Sequence, residues 1–222
     1  MTCMWNPKEA PSQAAKAYWI LVDRIIRLDL APSSVLHDRD LIAEIGIGRT
    51  PVREALQRLS VEGLVTHYPH RGMVVSEITA ANTRDIYEFR SLIDSEAARL
   101  AAMRRSDEEA AILETLAEKL SKLAGGEDVD QYIHVDRELY DALGQACRNA
   151  YIAETIPRIF NLHMRLWFFI SMKEDNWHRL AVSHSAMARD MAEAIASRDP
   201  DAAALAVKTY VSERQKDMRR LT

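Results

Sequence analysis

The chain has 222 residues, 48% of them hydrophobic, with 29 Lys and Arg against 33 Asp and Glu and a formal net charge of −4. That length admits two small domains, each with its own core, and the composition excludes a disordered or fibrous chain. Two cysteines, Cys3 and Cys147, exclude a disulfide framework and fit a reducing cytoplasm. The opening MTCMWNPKEA has no signal-type apolar core, and the most apolar run, LWFFISM at 166–172, is too short to span a bilayer. A cytoplasmic protein with no membrane role is expected.

The first helix is predicted from Ser12, behind Pro11, with Trp19, Val22, Ile25 and Ile26 turned to the core. In DRDLIAEIGIGRTPVREALQRL, Leu41, Ile45, Val52, Leu56 and Leu59 recur at helical spacing, and Gly46 and Gly48 interrupt them. Two helices therefore meet at a tight corner. The second is predicted to start with Thr50 as N-cap and Pro51 at the first helical position. Arg49, Arg53 and Arg58 all lie off the apolar stripe and face outward. A guanidinium on the leading turn of a helix that fits the major groove can fork onto guanine O6 and N7.

After Gly63, LVTHYP and RGMVV alternate apolar and polar residues around Pro69, His70, Arg71 and Gly72, as a hairpin with a cationic tip does. Such a tip suits the minor groove. Up to Ser76, nine Lys and Arg face eight Asp and Glu, a net +1 that leaves −5 for the rest. Any positive field must be local. The plainer alternative is a helical corner whose arginines face water.

From Thr79, the expected cap, every long segment has helical period, and the domain boundary is placed at 77–79. Ser106 and Glu109 form a capping box ahead of an apolar helix stopped by Gly125 and Gly126. Further helices are predicted over 129–147, over 151–172 with Pro157 kinking or splitting it, over 177–197, and after Asp199 and Pro200. The expected fold is mainly α: a winged helix-turn-helix of three helices and a small β-hairpin at 10–77, then an all-α bundle of six to seven antiparallel helices at 78–222.

Within the bundle, polar residues fall on apolar faces. Ile86, Phe89, Ile93 and Ala97 define an inward stripe on the first bundle helix, with Arg90 on the same side. Asp136 and Tyr140 stack on the face of Ile133, Leu143 and Cys147; His184 lies with Leu180, Met187 and Met191; Tyr210 lies with Ala203 and Ala206. With Arg165 these form a candidate pocket for a small anionic effector, a carboxylate that the arginines bind. The plainer alternative pairs Arg90 with Asp94 along the helix, solvates Arg165 and leaves His184 a satisfied core histidine.

RTPVREALQRLSVEGLV followed by PHRGMVV resembles the winged helix of the GntR family of bacterial transcriptional regulators. DIYEFRSLIDSEAARLAA resembles the opening helix of the effector and dimerisation domain of its FadR-like branch, the FCD domain. The resemblance implies a homodimer that binds a palindromic operator, most often as a repressor released by ligand. It assigns DNA-contacting positions to Arg39, Arg49, Arg53, His70, Arg71 and Gly72; Thr50 and Arg58 complete the set read from the residues. Gly48 departs from the family's hydroxyl residue, at the cost of a phosphate contact, and DLAPSSVL lacks the usual glycines.

The family's divalent metal site reads Asp-x-x-x-His on one helix with a histidine on each of the last two. Here Asp136 is retained, Tyr140 and Tyr210 replace histidines, and His184 lies one turn upstream of Ala188. No cofactor is expected. Asp136 and His184 remain as a metal remnant, and a divalent ion is the less favoured alternative. Two rival functions stay open: an enzyme acting on a small carboxylate through His184, Asp136 and the tyrosines, and a winged-helix interaction module without DNA binding.

Overall fold

The computed structural model describes residues 10–174 and 177–218, without the side chains of residues 172–174, 217 and 218. Cys3 and most of the opening segment lie outside the described residues. The chain divides into two compact units, one running to Ile78 and taking in Met164–Phe169, the other formed by Thr79–His163 and Ile170 onward.

In the first unit α1 (Gln13–Ile26) starts at Ser12, whose hydroxyl accepts from the Ala15 amide at 3.1 Å. It buries Ala17, Tyr18, Trp19, Leu21, Val22, Ile25 and Ile26 and packs on α3. Helix α2 (Asp38–Ile45) ends at Gly46, whose φ of +67° suits the left-handed cap that only glycine adopts without strain. Helix α3 (Arg49–Glu62) buries Val52, Ala55, Leu56 and Leu59 at 3–4 residue spacing.

Two expectations change here. Thr50 is not the cap of α3: Gly48 holds that place in extended conformation, its carbonyl accepts from Val52, and Pro51 becomes the third helical residue. Proline is harmless there, because the first four amides of a helix have no intrahelical partner. The sheet also has three strands, not two. β1 (Val35–Leu36) pairs antiparallel with β3 (Gly72–Val75), which pairs with β2 (Val65–Tyr68) in the order β1-β3-β2.

Six helices follow among the described residues: α4 (Ala80–Arg104), α5 (Asp107–Leu123), α6 (Val129–Ala146), α7 (Ala150–Glu174), α8 (Trp177–Ala196) and α9 (Pro200–Met218); they build the second unit, except Met164–Phe169 of α7, which belongs to the first. Capping boxes open α4, from Thr79 and Asn82, and α5, from Ser106 and Glu109. Asp199 accepts from the Ala202 amide at 2.9 Å ahead of α9. Helix α4 runs along α9, and α5 packs on both α6 and α8.

Pro157 does not split α7, which passes through it as one helix. A proline removes a single ladder bond, and Ile152, Ile156, Ile159 and Phe160 hold the turns on either side by burial. Cys147 is buried, and its thiol donates to the Gly144 carbonyl at 3.1 Å, as a core residue would.

Candidate functional site

Two places gather the residues singled out above, one in each unit. In the first, Arg39, Arg49, Thr50, Arg53, His70, Arg71 and Gly72 are all exposed. Arg49 and Thr50 are the first two residues of α3 and Arg53 follows one turn on, so three groups cluster at its amino end. Gly48 carries no side-chain cap, which leaves the leading amides open to an anionic oxygen.

Arg53 is held by Asp38 at the start of α2, Nε to Oδ2 at 2.6 Å, with 60% of its side chain exposed. An exposed bridge of this kind is worth about 0–1 kcal/mol, so a competing acceptor takes the guanidinium at little cost. Arg58 stands in another arrangement. Its guanidinium lies 3.6 Å from the Tyr18 ring centroid and donates to Glu62 at 2.9 Å, and Glu62 accepts from the Tyr18 hydroxyl at 2.6 Å. That network ties α1 to α3, so Arg58 is a packing residue of the seam in addition to an outward cation.

At the wing tip, Tyr68 pairs with Gly72 in register, and the Arg71 amide donates to the Tyr68 carbonyl at 3.2 Å. His70 and Gly72 both have positive φ, 66° and 79°; glycine removes the strain at the second. The turn therefore projects His70 and Arg71 together beyond the strands.

The second place lies inside the helical unit. The inward face of α4 is Thr83, Tyr87, Arg90, Asp94, Ala97 and Ala101, while Phe89 is exposed and Ile86 and Ile93 are half-buried. The expected stripe was one position out of phase, yet Arg90 does point inward, 1% exposed. It donates through Nε to Asp94 Oδ2 at 2.6 Å and through Nη2 to the Tyr140 hydroxyl. The pairing of Arg90 with Asp94 named above as the plainer alternative is therefore present, and it is buried. Burial works against the Arg90 charge, but Asp94, then Tyr140 and Tyr210, more than offset it and raise its pKa.

Around Arg90 stand Asp136 and Tyr140 from α6, His184 from α8 and Tyr210 from α9, each buried. The His184 ring stacks near Tyr140 at 6.2 Å and meets the Tyr210 ring edgewise at 5.3 Å. His184 Nδ1 is 2.9 Å from the Tyr132 hydroxyl, and Nε2 is 3.5 Å from Asp136 Oδ1. Burial, then the Arg90 charge, hold His184 down to about 3, so it is neutral. Burial pushes the Asp136 carboxyl up to about 8 against the pull of Arg90 and Arg137.

Five of the six expected pocket residues thus come together: Asp136, Tyr140 and Tyr210 stand around His184, and Arg90 joins through Tyr140. Arg165 does not. Its guanidinium donates to the Ser76 carbonyl, and burial lowers its pKa to about 10. Residues not anticipated are Tyr132, which holds the imidazole; Asp94, foreseen only as a partner for Arg90; and Arg214, buried 5.7 Å from the Tyr210 ring centroid. Tyr132 and Arg214 each sit one turn from an expected residue on the same face, a signal that was present in the spacing.

A divalent metal does not fit this donor set. The Tyr140 hydroxyl is taken by Arg90 and His184 Nδ1 by Tyr132, and no three His, Cys, Asp or Glu converge among the described residues. Neutral phenols are poor ligands, and firm sites need three or four donors.

The comparisons with known proteins follow the same division. Residues 13–75 match the bacterial regulatory proteins of the gntR family, and residues 85–213, over half the chain, match the FCD domain. The chain is an FCD-type member of the GntR family. It is 30% identical over 129 residues to the Nta operon transcriptional regulator of Aminobacter aminovorans, an alignment covering 58% of this chain and 60% of that protein, so it spans under two thirds of that relative's length. It is 24% identical over 216 residues to the HTH-type transcriptional repressor RspR of Escherichia coli (strain K12), covering 97% of this chain and 92% of that one. The solved structure of E. coli McbR/YncC matches with a TM-score of 0.79 at 21% identity, over 95% of this chain and 98% of that one, and so shares the fold. Both curated relatives carry names of transcriptional regulators rather than enzymes. No helix among the described residues of this GntR-family chain is long and apolar enough to cross a membrane.

Proposed function

We propose that the protein is a ligand-responsive transcriptional repressor that binds a palindromic operator as a homodimer, one winged helix per half-site, and senses a small carboxylate in its FCD domain. The observation that carries the first half is the amino end of α3, where exposed Arg49, Thr50 and Arg53 gather beside an uncapped helix start and the wing offers His70 and Arg71. Arg53 supplies base readout and the wing supplies backbone contacts. Arg39 at the head of α2 adds a phosphate contact.

The sensing half rests on the buried cluster of Arg90, Asp136, Tyr140, His184 and Tyr210. Polar groups so deep are costly unless satisfied; among the described residues Asp136, Arg90 Nη1 and the Tyr210 hydroxyl have no hydrogen-bond partner, and a bound ligand would supply one. Binding biases the bundle toward one packing, and the DNA heads follow if the two packings differ in affinity for ligand. The relatives' names support regulation, and RspR is named a repressor. The test is a mobility shift with DNA from upstream of the protein's own coding region. Specific, salt-dependent binding that a bound carboxylate relieves supports the proposal; binding unaffected by any acid that stabilises the fold contradicts the sensing half.

A further inference from the structure

Exposed apolar side chains are not spread evenly over the second unit. Among the described residues α5, α7 and α8 each show one large one, Ile112, Tyr151 and Val182, whereas α4 shows Phe89, Leu92 and Met103 and α9 shows Leu205. Leu92 and Leu205 are 68% and 63% exposed. An apolar group gathered on one face, rather than scattered singly, marks a surface that another molecule covers.

The two helices make that face together. They pack on each other, and the buried residues Ala97, Ala101, Ala203 and Ala204 are small enough to let the axes come close, so the outer sides of α4 and α9 join. Charge fixes their relative direction. The Glu96 carboxyl is held below its ordinary value by Arg99 first, with Lys208 of α9 adding to the effect, and the Arg99 pKa is raised by Glu96 first, with Asp201 of α9 adding. Positions rising along α4 therefore meet positions falling along α9, and Leu205 lies abreast of the turn from Glu96 to Arg99. An apolar strip of about 21 Å runs from Phe89 past Leu92 and Leu205 to Met103.

The charged residues of the strip say what covers it. Glu88 and Arg99 are about three helical turns apart, so they share a face with Leu92 between them. Each stands in a part-exposed pair along its own helix, Glu88 with Arg84 at 3.8 Å and Arg99 with Glu96 at 2.6 Å, and such pairs contribute little and exchange partners readily. A second α4 laid antiparallel across the first, about a two-fold axis beside Leu92, brings Glu88 of each copy to Arg99 of the other and abuts the two Leu92 side chains. A parallel arrangement would set Glu88 on Glu88 and Arg99 on Arg99. Self-complementarity of this kind is what a two-fold contact between identical chains requires.

We propose that the outer face of the α4–α9 pair, centred on Leu92, is the surface through which two copies of this chain associate, with Glu88 of one copy against Arg99 of the other. The inference rests on the homodimer of the proposed function and assigns its interface.

The test is sedimentation of the full-length, ligand-free protein over a concentration series, with circular dichroism to follow the fold. The wild-type chain is expected to be dimeric. Leu92→Glu combined with Leu205→Glu should weaken the dimer at least about tenfold, because a carboxylate placed beside the two-fold axis faces its own copy. Tyr151→Glu, on a side chain more exposed still, should leave it intact. Glu88→Arg should weaken association, and Glu88→Arg combined with Arg99→Glu should restore it, a rescue that a role in folding alone would not give. A dimer that survives the two leucine changes, or that Tyr151→Glu dissociates equally, overturns the surface while the homodimer stands, and so does a charge exchange without rescue. A wild-type chain that stays monomeric at every concentration removes homodimer and surface together.

Discussion

The Arg53–Asp38 and Arg90–Asp94 bridges have the same nitrogen–oxygen distance, 2.6 Å, and stand in opposite surroundings. The first is 60% and 25% exposed, the second 2% and 1%. Water screens the exposed pair until it contributes almost nothing, and on the proposed function this leaves Arg53 available to a nucleobase. The buried pair is held by the cost of separating its members, so Arg90 keeps a fixed direction, and its Nη1 has no acceptor among the described residues. One guanidinium suits recognition by exchange of partners, the other recognition by preorganisation.

The comparison breaks most visibly at Asp94. Asp94→Ala leaves a buried guanidinium without its counterion and should cost about 3–5 kcal/mol of unfolding free energy, measured by urea titration. Loss of under 1 kcal/mol would mean that Arg90 finds water or another anion. Arg53→Ala should weaken specific operator binding by about 1–3 kcal/mol and relax base preference at one position, read by competition between operator and random duplex. Equal losses on both would reduce Arg53 to a phosphate contact.

Protonation gives a third, smaller effect. The Asp136 carboxyl, at about 8 in the fold, holds a proton that the unfolded chain has released above its ordinary value of 3.8. Stability from this group is complete below that value and is lost as pH rises through 8. His184 works oppositely: held at about 3, it withholds a proton the unfolded chain takes up below 6.5, so its contribution is lost as pH falls. The two slopes cancel between about 4 and 6.5. Between pH 6.5 and 8 the Asp136 slope stands alone, and the ligand-free protein should lose about 1–2 kcal/mol relative to Asp136→Asn. Parallel profiles for the two proteins would contradict it. Smallest of all, Asp38→Ala should change stability by under about 1 kcal/mol and tighten DNA binding slightly, because it removes the competitor for Arg53. Weaker DNA binding by this variant would show that Asp38 orients Arg53 instead.

Much of the architecture was readable because it is local. The Ser12 start of α1, the Thr79 and Ser106 capping boxes and the Asp199–Pro200 start of α9 are written in three or four adjacent residues. β1 was missed because two residues carry no period, and Val35–Leu36 becomes a strand only through β3, some 37 residues on. The cap of α3 moved from Thr50 to Gly48 because a preference for hydroxyl caps yields to the chain direction set at the corner.

The site residues divide by the same logic. Asp136 and Tyr140, four apart on one helix, share a face by geometry alone, and Tyr132 extends the same column. Arg165 lies on α7 with nothing in its spacing to say that its partner would be the Ser76 carbonyl. The phase of α4 was misjudged because Phe89 and Ile93 are apolar by type, whereas Arg90 and Asp94 are buried as a pair, and pairing is invisible to a hydrophobic count.

The central claim is that the amino end of α3 and the wing read duplex DNA. The most direct measurement is a titration of the purified protein with DNA from upstream of its own coding region, against random duplex and heparin, across a salt series. The account predicts a clear preference for the upstream duplex that persists at physiological salt, while affinity for all three polyanions falls steeply as salt rises. Binding to heparin as tight as to any duplex would contradict it.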